Sequence, residues 1–243
     1  MSHLPYFRRG GAWTDYNRVR RATVRKVKSI ILLSGGLDSV VNTAFAARRT
    51  YPVLALTFDY GQRSAKEETR AARKVAKYYS IPHRTIRLPW LGEITRTSLV
   101  NRKRALPRFT ASELNQRKKT LRSAAAVWVP NRNGAFINIA AAFAETLKAD
   151  WIITGFNAEE AATFSDNSAE YVHRANRALL LSTLQRPRLK SFTQNMDKSR
   201  IVTVARRMRV PLHLAYSCYA GQRKMCGKCE SCLRLLRALK SNG

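Results

Sequence analysis

The chain has 243 residues, 45% of them hydrophobic and 25% charged, long enough to bury a core in one large domain with a small appendage. No apolar run approaches the roughly 18 to 20 residues that cross a bilayer, and no signal-peptide stretch opens the sequence, which excludes a membrane span and makes a cytoplasmic protein the expectation. With 45 Lys and Arg against 15 Asp and Glu, the net charge of +30 favours polyanionic partners, whether ATP, RNA or an anionic substrate.

Residues 1–27 read as a basic arm, since 1–28 hold eight Lys or Arg against Asp15 alone. The apolar run Ile30-Ile31-Leu32-Leu33 meets Ser-Gly-Gly, which predicts a buried strand over 27–33 running into a tight turn, then a helix over about 38–48. A second buried strand over 53–58, a charged amphipathic helix over 64–79 and a third strand over 84–88 follow. Strand, helix, strand, helix, strand predicts a parallel α/β sheet with right-handed crossovers. Residues 90–126 are polar and basic, with eight Lys or Arg against Glu113 alone between 102 and 122. With little periodicity and more length than an ordinary loop, this stretch reads as a lid or mobile insertion. Both basic stretches also fit solvated arms around a more balanced core. A mostly buried helix over 133–147 leads to a strand over 151–154, and helices over 169–184 and 198–208 precede the cysteine segment.

Ser34-Gly35-Gly36-Leu37-Asp38-Ser39 lies between a strand and a helix, where small residues let backbone N–H groups approach an anion and the helix dipole favours negative charge. The chain has no GxxxxGK[ST], so this is not a Walker loop, and the expected anion is the pyrophosphate part of ATP. Asp38 also fits an ordinary helix cap. Gln62 and Arg63 follow the second strand at its carboxyl end, where open α/β sheets place ligands, and are expected to border the nucleotide. Arg132 and Asn133 open the buried helix, a natural anion site, and the planar guanidinium of Arg132 suits a carboxylate or phosphate.

All four cysteines are bunched as Cys218, Cys226, Cys229 and Cys232, in the spacing Cx7CxxCxxC. Four thiolates favour a closed, structural tetrahedral Zn²⁺ site in a reducing compartment, although an iron–sulfur cluster would use the same ligands. A redox CxxC pair fits less well, because Gly227 and Lys228 suit a tight turn rather than a helix N-terminus that activates a thiol.

SGGLDS resembles the signature of the N-type ATP pyrophosphatase (PP-loop) superfamily, whose members adenylate a substrate oxygen and displace AMP with a nitrogen or sulfur nucleophile. Taken with TFDYGQR, VPNRN and SCYxxxxxxCGKCESC in that order, the chain resembles the 7-cyano-7-deazaguanine synthase (QueC/ExsB) family from about residue 28 to 239. That resemblance implies an adenine-nucleotide alpha-hydrolase-like fold and ATP-dependent conversion of 7-carboxy-7-deazaguanine and ammonia to 7-cyano-7-deazaguanine, for queuosine and archaeosine in tRNA. It further implies that Leu33 through Ser39 hold ATP and Mg²⁺, that Ser34, Asp38, Arg132 and Lys198 carry the chemistry, and that Arg132, Asn133 and Asp166 bind the substrate. The expected division is the basic arm, an ATP-binding unit over 28–215 with its insertion at 90–126, and a zinc segment over 216–243, with a homodimer expected. Two positions depart from the commoner family pattern, Asn131 in place of glycine and Asn167 in place of cysteine. The +30 charge keeps two alternatives open: a related PP-loop enzyme that modifies RNA or another macromolecule, and a non-enzymatic zinc module that grips RNA through its basic arms.

Overall fold

The computed structural model describes residues 26–241, so the expected basic arm lies almost wholly outside the described residues. Five parallel strands form one sheet in the order β3-β2-β1-β4-β5: β1 (Lys28–Leu32), β2 (Tyr51–Asp59), β3 (His83–Arg87), β4 (Trp151–Ile153) and β5 (Arg188–Lys190). Alternate residues of the central strands face opposite cores. Ile31, Ala55 and Ile153 join one apolar cluster, and Ile30, Leu56 and Ile152 join the other. A parallel sheet buried on both faces needs such apolar runs, which is why β1 and β4 carry consecutive isoleucines.

The first face is covered by α1 (Leu37–Arg49), α2 (Ala65–Tyr78), α8 (Lys198–Arg207) and α9 (Glu230–Lys240), through Val40, Val41, Ala72, Val75, Ile201, Val202 and Leu235. The second is covered chiefly by α5 (Arg132–Leu147), which buries Ile137 and whose small Ala140, Ala141 and Ala144 let it lie close to the sheet. Each fully buried Ile or Leu contributes about 1.5–3 kcal/mol, so truncating Ile153 to alanine at the sheet centre costs about 2–5 kcal/mol.

The helix and strand expectations for residues 27–88, 133–154 and 198–208 match the observed elements to within two residues at most ends. Residues 90–126 differ from expectation. They are not a structureless lid but carry α3 (Pro89–Ile94), a 3-10 helix (Ala111–Asn115) and α4 (Arg117–Val127). The segment is pinned by buried Leu91, Leu99, Phe109 and Leu114, apolar anchors too widely spaced to give a helical or strand period. Neither the short α6 (Ala158–Ala161) nor strand β5 has a sequence signature: α6 is a single turn, and β5 is the three-residue Arg-Leu-Lys with no apolar run. Helix α7 (Ala169–Ser182) stops two residues short of 184, where the Leu184 N–H donates to the Glu145 carboxylate instead (2.8 Å). No described helix is long and apolar enough to cross a membrane.

Candidate active site

Chain order places β2 on one side of β1 and β4 on the other, so the carboxyl ends of β1 and β4 form a topological switch point where ligands bind in open α/β sheets. A cleft of about 240 Å³ opens there, lined by the phosphate loop, the ends of β2 and β4, the start of α5, the 160–167 turn and the cysteine segment.

The phosphate loop is shaped by its glycines. Gly35 has φ +82°, and a Cβ there would lie 2.8 Å from the Ala71 Cβ and 3.0 Å from the Glu68 carbonyl, so the loop rests directly on α2. Ser39 Oγ donates to the Gly36 carbonyl (2.9 Å) and shares a 3.2 Å hydrogen bond with Ser34 Oγ, which also accepts from the Gly36 N–H. The loop is buttressed from below by Asn42, whose amide donates to Thr193 and whose carbonyl accepts from the Phe192 N–H. Leu33, Ser34, Gly36, Asp38 and Ser39 line the cleft. Gly35 and Leu37 do not: Gly35 turns its carbonyl to the Tyr216 N–H (2.8 Å), and the Leu37 side chain is buried in the core.

Behind the loop sits a buried ionic cluster. Lys198 Nζ, on the first residue of α8, is 2.7 Å from Asp38 Oδ2 and 2.8 Å from Glu160 Oε1. Burial opposes the lysine's charge, but the two carboxylates outweigh it and hold Lys198 protonated well above the usual lysine range. Burial pushes Asp38 up to about 6 against the pull of Lys198, and its Oδ1 is buried with no hydrogen-bond partner. Glu159, next to Glu160, pairs with Arg234 and Arg237, which keys α9 into the back of the cleft.

The opposite end of the cleft is aromatic and cationic. Arg132 lies 3.5 Å from the Tyr60 hydroxyl; burial works against its charge, but Tyr60 and Asp166 outweigh it and hold the guanidinium protonated. Burial raises the Asp166 carboxyl, while Arg132 and the Asn167 amide (3.3 Å) pull it back. Asn133 donates to the Asp166 carbonyl at 3.5 Å. Trp128 and Phe164 have near-parallel rings with centroids 6.2 Å apart, and Phe58 stacks on Phe136 at 4.0 Å. Asn131 adopts φ 46°, a left-handed conformation that asparagine tolerates, and its side chain folds over α5 so closely that a Cβ on Gly134 would lie 2.1 Å from its carbonyl oxygen.

Of Gln62 and Arg63, only Gln62 borders the cleft as expected. Gln62 touches the cleft, but its amide is spent on Phe58 O, Glu68 and the Tyr60 N–H. Arg63 is not part of the lining. It donates to the carbonyls of Ser98, Asn101 and Arg104, because those groups turn inward from the 90–126 segment and need a donor.

The four cysteine sulfurs lie within 4.8 Å of one another, and Cys226 Sγ accepts from the Lys228 and Cys229 N–H groups. Four converging thiols with N–H···S support fit a tetrahedral metal centre. The cysteine segment is also a wall of the cleft, since Ser217 Oγ accepts from the Leu37 N–H (3.4 Å) and Tyr219 and Ser231 join the lining. Tyr60, Glu68, Trp128, Phe136, Glu160, Ser217 and Tyr219 were not foreseen as cleft residues. Ser217 and Tyr219 had a signal in their place beside Cys218, and Tyr60 in its place within TFDYGQR at the end of the second strand.

The queuosine biosynthesis protein QueC family model matches residues 28–243. The 7-cyano-7-deazaguanine synthase of Pelotomaculum thermopropionicum is 52% identical over 89% of this chain and 98% of its own length. That of Carboxydothermus hydrogenoformans is 52% identical over 88% of this chain and 99% of its own length, and that of Desulforamulus reducens is 50% identical over 89% and 95%.

Proposed function

The chain belongs to the QueC family of queuosine biosynthesis proteins, and on that premise we propose how its cleft carries out the ATP-dependent ligation that makes 7-cyano-7-deazaguanine. The observation that carries the reading is that the phosphate loop, the Asp38–Lys198–Glu160 cluster and the Arg132–Asp166 pair line one cleft at the sheet's switch point.

ATP lies with its phosphates on the 34–39 loop and the N-terminus of α1. Asp38, with one oxygen on Lys198 and the other buried without a partner, is the residue that would hold Mg²⁺, which supplies charge neutralisation on the triphosphate. Lys198 is placed to stabilise the pyrophosphate as it leaves. At the other end, Arg132 takes the carboxylate of 7-carboxy-7-deazaguanine in a two-point contact, Asp166 accepts ring N–H groups, and the aromatic lining covers the flat ring. The substrate carboxylate attacks the α-phosphate of ATP, pyrophosphate departs, and the acid becomes an acyl adenylate. Ammonia adds to its carbonyl carbon and AMP leaves, giving the amide. A second adenylation, now on the amide oxygen, lets that oxygen leave as AMP with loss of the remaining N–H protons, and the nitrile forms. The cleft supplies position and charge rather than a covalent nucleophile.

Cys218, Cys226, Cys229 and Cys232 would hold Zn²⁺, which supplies a closed structural cross-link with no free coordination position. The division into an ATP-binding unit over 28–215 and a metal-binding segment beyond it is part of the same reading, supported by the bunching of all four thiols there. Pairing into a homodimer is also part of it, supported by Leu181 and Leu184, exposed by 92% and 91% at the end of α7, and is checked by light scattering.

The test is mass spectrometry of the protein with ATP, Mg²⁺, ammonium and 7-carboxy-7-deazaguanine, with Ser34→Ala as control. The expected outcome is nitrile and one AMP for each oxygen removed, both reduced in the control. AMP without a deazapurine product refutes the substrate assignment.

A further inference from the structure

Three basic stretches, two of them neighbours within residues 90–126 and the third in the distant cysteine segment, meet on one face. The first runs through the 90–126 segment and exposes Arg102, Lys103, Arg104 and Arg108. The second is α4, exposing Arg117, Lys118 and Arg122. The third is the loop between Cys218 and Cys229, exposing Arg223, Lys224 and Lys228. They are joined by contacts that fix their relative positions. The Phe109 N–H donates to the Lys228 carbonyl (2.9 Å), tying the first stretch to the third. Arg63 anchors the Arg104 carbonyl (2.6 Å), and its own carbonyl lies 1.9 Å from where a Gly221 Cβ would be, so residues 104 and 221 share one support. Lys119 sits over the Phe109 ring at 5.1 Å, bringing α4 alongside.

Acidic compensation is nearly absent on this face. Glu113 is engaged by Lys119 at 2.5 Å, and among the described residues none of the exposed arginines and lysines just named is in an ion pair. The face flanks the cleft, because Leu99 and Val127 from the first two stretches and Ser217 and Cys218 beside the third are in its lining. A reaction on a small deazapurine acid needs no such surface, which would repel itself strongly unless counter-charges were supplied.

We propose that this face is a binding surface for RNA, which it holds by its phosphates beside the cleft without reading base identity. Its chemistry favours RNA over the other polyanions. Arginines outnumber lysines, and the guanidinium fork matches phosphate oxygens in pairs. The exposed large apolar side chains of these stretches, Trp90, Ile94, Leu121 and Met225, are divided among α3, α4 and the cysteine loop, so no one helix carries the long apolar face that a membrane-surface element inserts among headgroups.

The test uses the full chain, a fluorescein-labelled RNA stem-loop and phosphatidylserine vesicles as the competing polyanion. With about five phosphates neutralised, the association constant falls about 500-fold between about 50 and 200 mM salt. In the variant R117Q/K118Q/R122Q/R223Q/K224Q, binding weakens and the slope of log K against log salt drops by about 1 for each phosphate contact removed. Formation of 7-cyano-7-deazaguanine, assayed without RNA, is unchanged in that variant, which separates this inference from the reaction itself. If the fivefold variant loses that activity through misfolding, R223Q/K224Q in the loop alone must lower the slope by about 2. The proposal is overturned by binding that does not depend on salt, by a slope unaltered in both variants, which would place the RNA on residues 1–28, or by vesicles held more tightly than RNA.

Discussion

Replacing Lys198 with methionine keeps most of the side-chain volume and removes the charge that Asp38 and Glu160 share. Lys198 is only 8% exposed and Asp38 14%, so Asp38 cannot recover its lost partner from bulk water, whereas Glu160, 35% exposed, is partly solvated and adds less to the loss. Breaking a buried pair by removing one member costs about 3–5 kcal/mol. For a chain of this length each kcal/mol corresponds to about 2–4 °C, so Tm is expected to fall by about 6–20 °C. The loss should depend on pH. The Asp38 carboxyl already titrates at about 6 when folded, above its usual 3.8, and losing Lys198 raises it further. A carboxyl with a raised folded pKa disfavours the folded state most above that pKa and progressively less as pH falls toward the unfolded value. Urea denaturation of both proteins between about pH 8 and 5 should therefore show the deficit narrowing on acidification, with Asp38→Asn in the Lys198→Met background restoring part of it. A deficit under about 1 kcal/mol, or one that does not change across that range, would refute the view that the cluster is electrostatically strained without its lysine.

Three further outcomes follow from the same geometry. Gly35→Ala forces a left-handed alanine against Ala71 and should cost about 2–5 kcal/mol in denaturation and abolish ATP–pyrophosphate exchange. Arg132→Lys loses the planar two-point contact, so KM for the deazapurine acid should rise about tenfold or more with KM for ATP nearly unchanged, as steady-state kinetics will show. Stripping metal with a strong chelator, followed by metal analysis and calorimetry, should weaken ATP binding as well as stability, because the cysteine segment touches the phosphate loop through Tyr216 and Ser217.

The phosphate loop and the metal knuckle were legible because each is a local pattern. A strand, a Ser-Gly-Gly turn and a helix follow one another between Lys28 and Arg49, and the four cysteines fall within fifteen residues. The rest of the cleft is assembled from a distance. Glu160 gains its meaning only when α6 and α8 bring it to Lys198, and nothing in Asn-Ala-Glu-Glu marks it beforehand. Arg63 misled because its position at the end of β2 suits a nucleotide, whereas the competing demand came from the carbonyls of residues 98–104, whose inward turn no local pattern reveals. The helices of 90–126 were hidden for a related reason, since a basic surface helix such as α4 shows only Thr120, Ser123, Ala124 and Val127 to the interior.

The hydrogen bond from the Tyr216 N–H to the Gly35 carbonyl joins nearly the two ends of the described chain. Strand β1, the first to be synthesised, is the middle of the sheet and stays half unpaired until β4 is made, and the loop that follows it gains its last wall only when the cysteine segment arrives. Vectorial synthesis therefore withholds a finished nucleotide site until almost the entire protein has left the ribosome, and a truncated product that lacks its last thirty residues would be born without one.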